Sequence, residues 1–186
     1  LLALDKKSGT EAWKVAGVGG TSWSSPRLLA VGDQQHLVCS ASGKIVGYDP
    51  ATGNRLWEFT DISNNSSCTP MPVGNGNTAA IVNRTGVLYR FDLETGEQVS
   101  MDRTDAGGIW ATPIVAGDYL YLFGYKGTTS VIDLKDGTEI AKNRLWEAEA
   151  EGEAGFGRGS VLYAAAPAPP YLFLRRGDKL YAVKQL

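Results

Sequence analysis

Short apolar runs rich in Val, Leu, Ile and Tyr alternate with polar turns along the whole chain. The run at Ile45–Tyr48, for example, is followed by the turn DPATGN and then by a second run, RLWEF. Runs of this length, bounded by Asp, Asn, Gly and Pro, are typical of β-strands joined by tight turns. The pattern predicts an all-β chain.

This unit of strand, turn and strand recurs along the chain. It occurs at Leu1–Trp13, Ile45–Trp57, Val87–Ser100 and Ser130–Ala141, and Lys179–Lys184 begins a fifth copy. The turn aspartates and the turn glycines are each spaced by 44, 43 and 41 residues. They are Asp5, Asp49, Asp92 and Asp133, and Gly9, Gly53, Gly96 and Gly137. A fixed period in this range indicates a repeat array of propeller blades.

We interpret these motif residues as structural. An Asp carboxylate can accept backbone N–H groups one to three residues further on, and Gly supplies the positive φ that such a turn needs. Trp13 and Trp57 follow the turn in the first two copies and are expected to be buried between blades. Ser100 and Ala141 replace them in the later copies, whose blade contacts must be made otherwise.

Two further features share the period. Pro26, Pro70 and Pro113 are separated by 44 and 43 residues, and glycines 43, 86 and 127 by 43 and 41. Each repeat therefore holds four short strands, A to D, in an antiparallel meander. We expect each proline to be the first residue of strand A, where a missing N–H is tolerated.

The sequence thus predicts a single propeller over residues 1–186, built from four-stranded antiparallel blades, with about four blades present. The last repeat has a proline-rich turn, PAPP, and ends without a strand D. Two arrangements remain open: part of a larger ring, which we favour, or a four-bladed ring closed by residues 1 to 15. The approximate bounds predicted for the repeats are 1–16 (strands C and D), 23–60, 67–103, 110–142 and 159–186 (strands A to C), with an insertion loop at 143–158.

The spacing Ala-x-Asp-x-x-Thr-Gly-x-x-x-Trp resembles the repeat of the PQQ-like (pyrroloquinoline quinone) β-propellers. The first two copies match at almost every position, the third lacks the Trp, and the fourth keeps only Asp133 and Gly137. The resemblance implies a ring of seven or eight blades. That superfamily includes quinoprotein dehydrogenases and the outer-membrane assembly lipoprotein BamB.

The candidate binding site follows from propeller geometry. Connections from strand D to strand A and turns from B to C gather at one face, around the central channel. The residues three before each proline are Trp23, Ser67 and Trp110, with Arg158 as the nearest equivalent in the last repeat. Two indoles and a guanidinium could stack a flat ligand or bind an anion. The alternative is that they fill the channel and pack against neighbouring blades.

Composition adds few constraints. A net charge of −2 gives no electrostatic footprint for nucleic acid, and no apolar run is long enough to span a membrane. Cys39 and Cys68 are expected to be unpaired, half-buried thiols, with a disulfide between them as the alternative. His36, beside a turn, is expected to be exposed. We assign no catalytic and no metal-binding residue.

The resemblance also implies what an enzyme would need. A PQQ dehydrogenase binds Ca²⁺ through Glu, Asn and Asp, uses an Asp base, and holds the quinone between a Trp and a disulfide of adjacent cysteines. Cys39 and Cys68 are not adjacent. We predict a non-catalytic propeller scaffold that binds a protein or a small ligand, with no cofactor. The alternative is part of a PQQ-dependent alcohol or sugar dehydrogenase, with PQQ and Ca²⁺ as cofactors. A BamB-like assembly partner and a periplasmic or extracellular location follow from the resemblance alone.

Overall fold

All regular secondary structure in the described part of the chain is β, as the apolar runs predict. The computed structural model describes residues 1–20, 22–41, 43–63, 65, 68–73, 77–146 and 162–184. Within these ranges, no helix is long and apolar enough to cross a membrane.

The strands form five successive sheets, here called blades 1 to 5. Blade 1 contains β1 (Leu2–Leu4) and β2 (Glu11–Lys14). Blade 2 contains β3 (Arg27–Val31), β4 (Gln34–Ala41), β5 (Lys44–Tyr48) and β6 (Arg55–Phe59). Blade 3 contains β7 (Met71–Val73), β8 (Thr78–Val82), β9 (Val87–Asp92) and β10 (Gln98–Arg103). Blade 4 contains β11 (Ile114–Ala116), β12 (Tyr119–Phe123), β13 (Thr128–Asp133) and β14 (Glu139–Arg144). Blade 5 contains β15 (Leu162–Ala168), β16 (Tyr171–Arg176) and β17 (Lys179–Lys184).

Blades 2, 3 and 4 are antiparallel meanders in which each strand pairs with its sequence neighbour. They confirm the predicted four-stranded blade. Strands β1 and β2 form a sheet of their own, and β17 pairs with β16. Because the described pairings keep blades 1 and 5 apart, residues 1 to 15 do not complete the last blade. The chain has the architecture of a partial propeller.

The inner strands of blades 2 and 3 are buried on both faces because another blade packs on each side of them. Residues 79–82 of β8 are all buried, as are residues 45–48 of β5. One apolar cluster runs through blades 2 to 4, and two smaller clusters lie between blades 1 and 2 and between blades 4 and 5. This double burial explains why these strands are apolar at every position instead of alternating.

Every outer strand D contains a β-bulge three residues after the turn glycine. In each of blades 1 to 4 the register skips one residue, and these residues are Ala12, Leu56, Val99 and Ile140. The next residue, at the Trp position, returns to register opposite strand C. A bulge bends an edge strand and interrupts the regular edge that another chain could pair with.

Three details of the predicted boundaries are wrong. Pro26, Pro70 and Pro113 each lie one residue before strand A rather than within it. Pro167 belongs to the edge strand β15, so the turn of blade 5 is limited to Pro169 and Pro170. Strand β14 runs to Arg144, so residues 143 and 144 of the predicted insertion loop belong to a strand, and residues 147–158 of that loop lie outside the described part of the chain.

Candidate functional site: the connection face

The aspartates of the C-to-D turns form hydrogen bonds within their own turns. The Asp5 Oδ1 atom accepts the backbone N–H of Lys7 at 3.0 Å and of Ser8 at 2.7 Å. The corresponding carboxylates of Asp49, Asp92 and Asp133 accept backbone N–H groups in the same way. These bonds confirm the predicted turn chemistry. Backbone hydrogen bonds lower the pKa values of Asp5, Asp49 and Asp92, because they stabilise the ionised carboxylates.

The turn glycines receive a large side chain from the preceding blade. Gly53 and Gly96 have φ angles of 75° and 76°. A Cβ atom on Gly53 would lie 2.6 Å from Trp13 Cε3, and one on Gly96 would lie 2.8 Å from Trp57 Cε3. The motif therefore needs Gly for two reasons, the positive φ and the close approach of the indole.

Arg90 replaces the missing tryptophan in blade 3. A Cβ atom on Gly137 would lie 1.8 Å from its Nη2 atom, so the guanidinium occupies the place of the indole. Arg90 is on strand C and pairs across the sheet with Ser100, which holds the Trp position on strand D. The large side chain comes from the other strand of the same pair. This contact was missed because the motif spacing points only to strand D.

The prediction that His36 is exposed is wrong. Its side chain is only 6% exposed. The Nδ1 atom lies 2.9 Å from the Leu93 carbonyl oxygen of blade 3 and 3.2 Å from Trp57 Nε1. A carbonyl requires a proton on Nδ1, whereas the indole N–H requires a lone pair there, so only one bond forms at a time. His36 is a buried polar contact between blades 2 and 3.

The connection face consists of the D-to-A connections and the B-to-C turns. Trp23 lies on it between β2 and β3 and is 63% exposed. Trp110, between β10 and β11, is half-buried, and the Arg84 guanidinium carbon lies 4.0 Å from its ring centroid. Ser67 and Arg158 lie outside the described residues. Sequence reasoning missed Arg84. It could have been placed on this face from its position two residues before Gly86, the glycine of the B-to-C turn.

Hydrogen bonds connect the two kinds of loop at this face. Asn65, in the connection from β6 to β7, is fully buried. Its Nδ2 atom, which carries two N–H groups, lies within hydrogen-bond distance of three acceptors: Ser40 Oγ at 3.0 Å, the Ala41 carbonyl at 2.7 Å and the Lys44 carbonyl at 2.9 Å. The connection is thus fixed at Asn65 to the B-to-C turn of blade 2.

The B-to-C turn of blade 3 is held in a similar way. Asn83 Oδ1 accepts the backbone N–H of Thr85 at 3.0 Å and of Val87 at 2.9 Å. The Arg84 carbonyl accepts the N–H of Ile109, in the next connection, at 3.2 Å. Arg103 Nη1 donates to the Thr85 carbonyl at 3.3 Å. Two arginines therefore meet at this turn.

The cysteines are unpaired, as predicted, but they are fully buried rather than half-buried. Burial raises the pKa of Cys39 to about 11 and that of Cys68 to about 12. Among the described residues, no three His, Cys, Asp or Glu side chains gather into a group that could hold a metal ion. The described residues do not fit a PQQ and Ca²⁺ site, because the two thiols are separate and the turn carboxylates accept backbone hydrogen bonds.

Comparison with known proteins gives the family. The family model described as outer membrane protein assembly factor BamB, a PQQ-like repeat model, matches residues 1–143 and 61–185. The chain belongs to this family.

The relatives are similar to the chain over only part of their own length. BamB of Pseudomonas aeruginosa is 26% identical over 67% of this chain and 31% of the relative. BamB of Moranella endobia is 26% identical over a match that covers 73% of this chain and 37% of the relative. The crystal structure of BamB from Moraxella catarrhalis superposes with a TM-score of 0.66 at 22% identity, covering 98% of this chain and 51% of that one. The chain spans about a third of the curated relatives' length, and the structural match shows the propeller fold.

Proposed function

We propose that this chain is part of a non-catalytic propeller scaffold that binds another protein through the connection face. It acts as a BamB-type outer membrane assembly factor, in the periplasm. The observation that carries the proposal is the family match over nearly the whole chain. The relatives with that match are named assembly factors.

The connection face supplies the chemistry of a protein-binding surface. Trp and Arg are the residues most enriched among binding hot spots, and this face carries exposed Trp23 and the stacked pair Arg84 and Trp110. The hydrogen bonds of Asn65 and Asn83 hold the loops in place, which lowers the entropic cost of binding. The carboxylates of the repeat motif, by contrast, accept hydrogen bonds within their own turns.

A site-specific cross-linking experiment tests the proposal. A photo-reactive amino acid replaces Trp23 in the intact protein, and the control places it at Lys135, on a C-to-D turn at the opposite end of the strands. We expect covalent adducts with another outer-membrane assembly protein from position 23, identified by mass spectrometry, and few from position 135. Equal yields from the two positions, or no adduct at either, would contradict the proposal.

An activity assay tests the non-catalytic part. The intact protein is incubated with PQQ, Ca²⁺ and a series of alcohols and sugars, and reduction of an artificial electron acceptor is followed. We expect no turnover above that of the cofactor alone. Turnover that needs the protein would establish a quinoprotein oxidoreductase instead.

A further inference from the structure

We propose that Arg84, stacked on Trp110 and flanked by Arg103, binds a carboxylate of an acidic segment in the protein partner. The inference rests on the proposed function and names the chemistry of its partner. Neither arginine belongs to the repeat motif, and neither was identified from the sequence.

The Trp110 ring holds the Arg84 guanidinium in place. The guanidinium carbon lies over the ring, 4.0 Å from its centroid, which is within cation–π distance. In this arrangement the N–H groups project from the edges of the plane. A guanidinium held in this way is pre-organised for a planar, bidentate acceptor such as a carboxylate.

The backbone below the guanidinium is also fixed. The Asn83 side chain accepts the N–H groups on the far side of the turn, and the Arg84 carbonyl is bonded to Ile109. The bond from Ile109 joins the turn to the connection that carries Trp110. Cation and ring therefore keep their relative positions, because the two loops are bonded through the backbone.

The two arginines carry positive charge that no described acid neutralises. Ion pairs among the described residues join Lys44 and Arg55 to Glu58, and Lys142 to Asp105. Within the same residues, Arg84 and Arg103 take part in no ion pair. Arg103 Nη1 donates to the carbonyl of Thr85, the residue that follows Arg84, so both arginines lie at the same turn. The complementary partner is anionic.

The experiment measures the binding of a labelled octapeptide of glutamate to the intact protein by fluorescence anisotropy, with the glutamine octapeptide as a matched neutral probe. We expect the glutamate peptide to bind more tightly, and its affinity to fall as salt is raised. Arg84→Gln is expected to weaken binding about tenfold or more, the loss typical of a charge-assisted hydrogen bond.

Further variants separate the effects of the bidentate guanidinium geometry and of the contact with Trp110 from the effect of the positive charge alone. Arg84→Lys keeps the positive charge but cannot form two parallel N–H···O bonds to one carboxylate. We expect its affinity for the glutamate peptide to lie between those of Arg84→Gln and the wild type. Trp110→Leu is expected to weaken binding about threefold or more, through loss of the stacked geometry. Lys135→Gln removes a charge from the opposite face and is expected to change affinity less than about twofold. Circular dichroism melting of each variant checks that it is folded.

Equal binding of the two peptides, or an Arg84→Gln affinity within twofold of wild type, overturns the inference. The cross-linking assay separates this failure from failure of the proposed function. If position 23 still gives the same adducts in the Arg84→Gln protein, a partner binds but not through this arginine. If the unaltered protein gives no adduct, the proposed function itself is wrong.

Discussion

The contact between blades 2 and 3 and the contact between blades 3 and 4 fill the same position with different chemistry. At the first, the Trp57 indole from strand D of blade 2 packs on Gly96. At the second, the Arg90 guanidinium from strand C of blade 3 packs on Gly137. Both groups are flat, and both lie where a Cβ atom would collide with them. At both contacts a planar group fills the position, and it need not be an indole.

The cross-strand pairs show how the exchange is possible. Trp57 is opposite Gly47, and Arg90 is opposite Ser100. Each pair combines one large and one small side chain, so its volume fits the space between blades whichever strand carries the large one. Residues opposite each other in a sheet compensate in volume, because they fill one shared space.

The two contacts differ in how well their polar atoms are satisfied. At the first contact, His36 Nδ1 satisfies either the Trp57 N–H or the Leu93 carbonyl, so one group at a time lacks this partner. The buried Nη2 atom of Arg90 and the buried Oγ atom of Ser100 have no hydrogen-bond partner among the described residues. A buried polar group without a partner costs about 1–3 kcal/mol. We therefore expect the contact between blades 3 and 4 to contribute less to stability.

The largest effect is expected from Trp57→Ala. The indole is 6% exposed and fills the contact between blades 2 and 3, so its removal leaves a cavity. We expect a loss of about 3–5 kcal/mol in the free energy of unfolding, measured by urea titration. Trp23→Ala, at a 63% exposed indole, serves as the control and should change stability by less than about 0.5 kcal/mol. Similar losses in the two variants would contradict the assigned role of Trp57.

Gly96→Ala is expected to have the next largest effect. The variant places a Cβ atom on a residue with a positive φ, and that atom also clashes with Trp57. The free energy of unfolding should therefore fall by more than about 2 kcal/mol. Gly9→Ala is the control, since Gly9 has a φ of 73° and nothing within 4 Å of the added atom. It should lose only about 1–2 kcal/mol, the conformational cost. Equal losses in the two variants would show that the indole moves away at no cost.

Arg90→Ala should lower the free energy of unfolding by about 1–2 kcal/mol, less than Trp57→Ala, because it also removes an unsatisfied donor. Adding Ser100→Trp to this variant recreates the Ala3–Trp13 pair of blade 1. We expect the double variant to regain at least about 1 kcal/mol. Ser100→Trp alone, with Arg90 retained, should destabilise by overpacking. If the double variant is less stable than Arg90→Ala, the two strands are not interchangeable.

The smallest effect concerns the turns that carry the two glycines. Backbone hydrogen bonds from Thr95 and Thr138 lower the pKa values of Asp92 and Asp136, respectively, below that of an unfolded chain. As the pH falls, the unfolded state takes up protons first, so the carboxylates contribute fully above about pH 5 and progressively less below it. Urea titrations should show a small decrease in the free energy of unfolding as the pH is lowered. Asp92→Asn and Asp136→Asn should each make this pH-dependent decrease slightly smaller. Asp136 stands at the position of Thr95 and bonds the N–H two residues on, so the two carboxylates act at different places in the turn. Stability that does not change below about pH 5 would contradict both contributions.

The sequence predicted the local elements well and the contacts between repeats only partly. Strands, turns and period depend on residues close together in the chain, so the Asp and Gly spacing was sufficient to identify them. The burial of His36 depends on Leu93, which is 57 residues away on the next blade. A single histidine beside a turn carries no signal of that neighbour.

The candidate site shows the same division. Trp23 and Trp110 could be placed on the connection face from their positions before the prolines. The Arg84–Trp110 stack could not, because it joins the B-to-C turn of blade 3 to the following connection. No periodic feature links two such loops, since the residues at their tips vary from blade to blade.

By itself, the sequence determined an all-β repeat of four-stranded blades, the turns that join the strands and the family to which the repeat is similar. Only the tertiary structure decided that Arg90 fills the place of a tryptophan, that His36 is buried between blades, and that the Arg84 guanidinium lies over Trp110. The physical reason is the distance over which each effect acts. Turn and strand propensities act within about ten residues, whereas the packing of one blade on the next is set by side chains a full repeat apart.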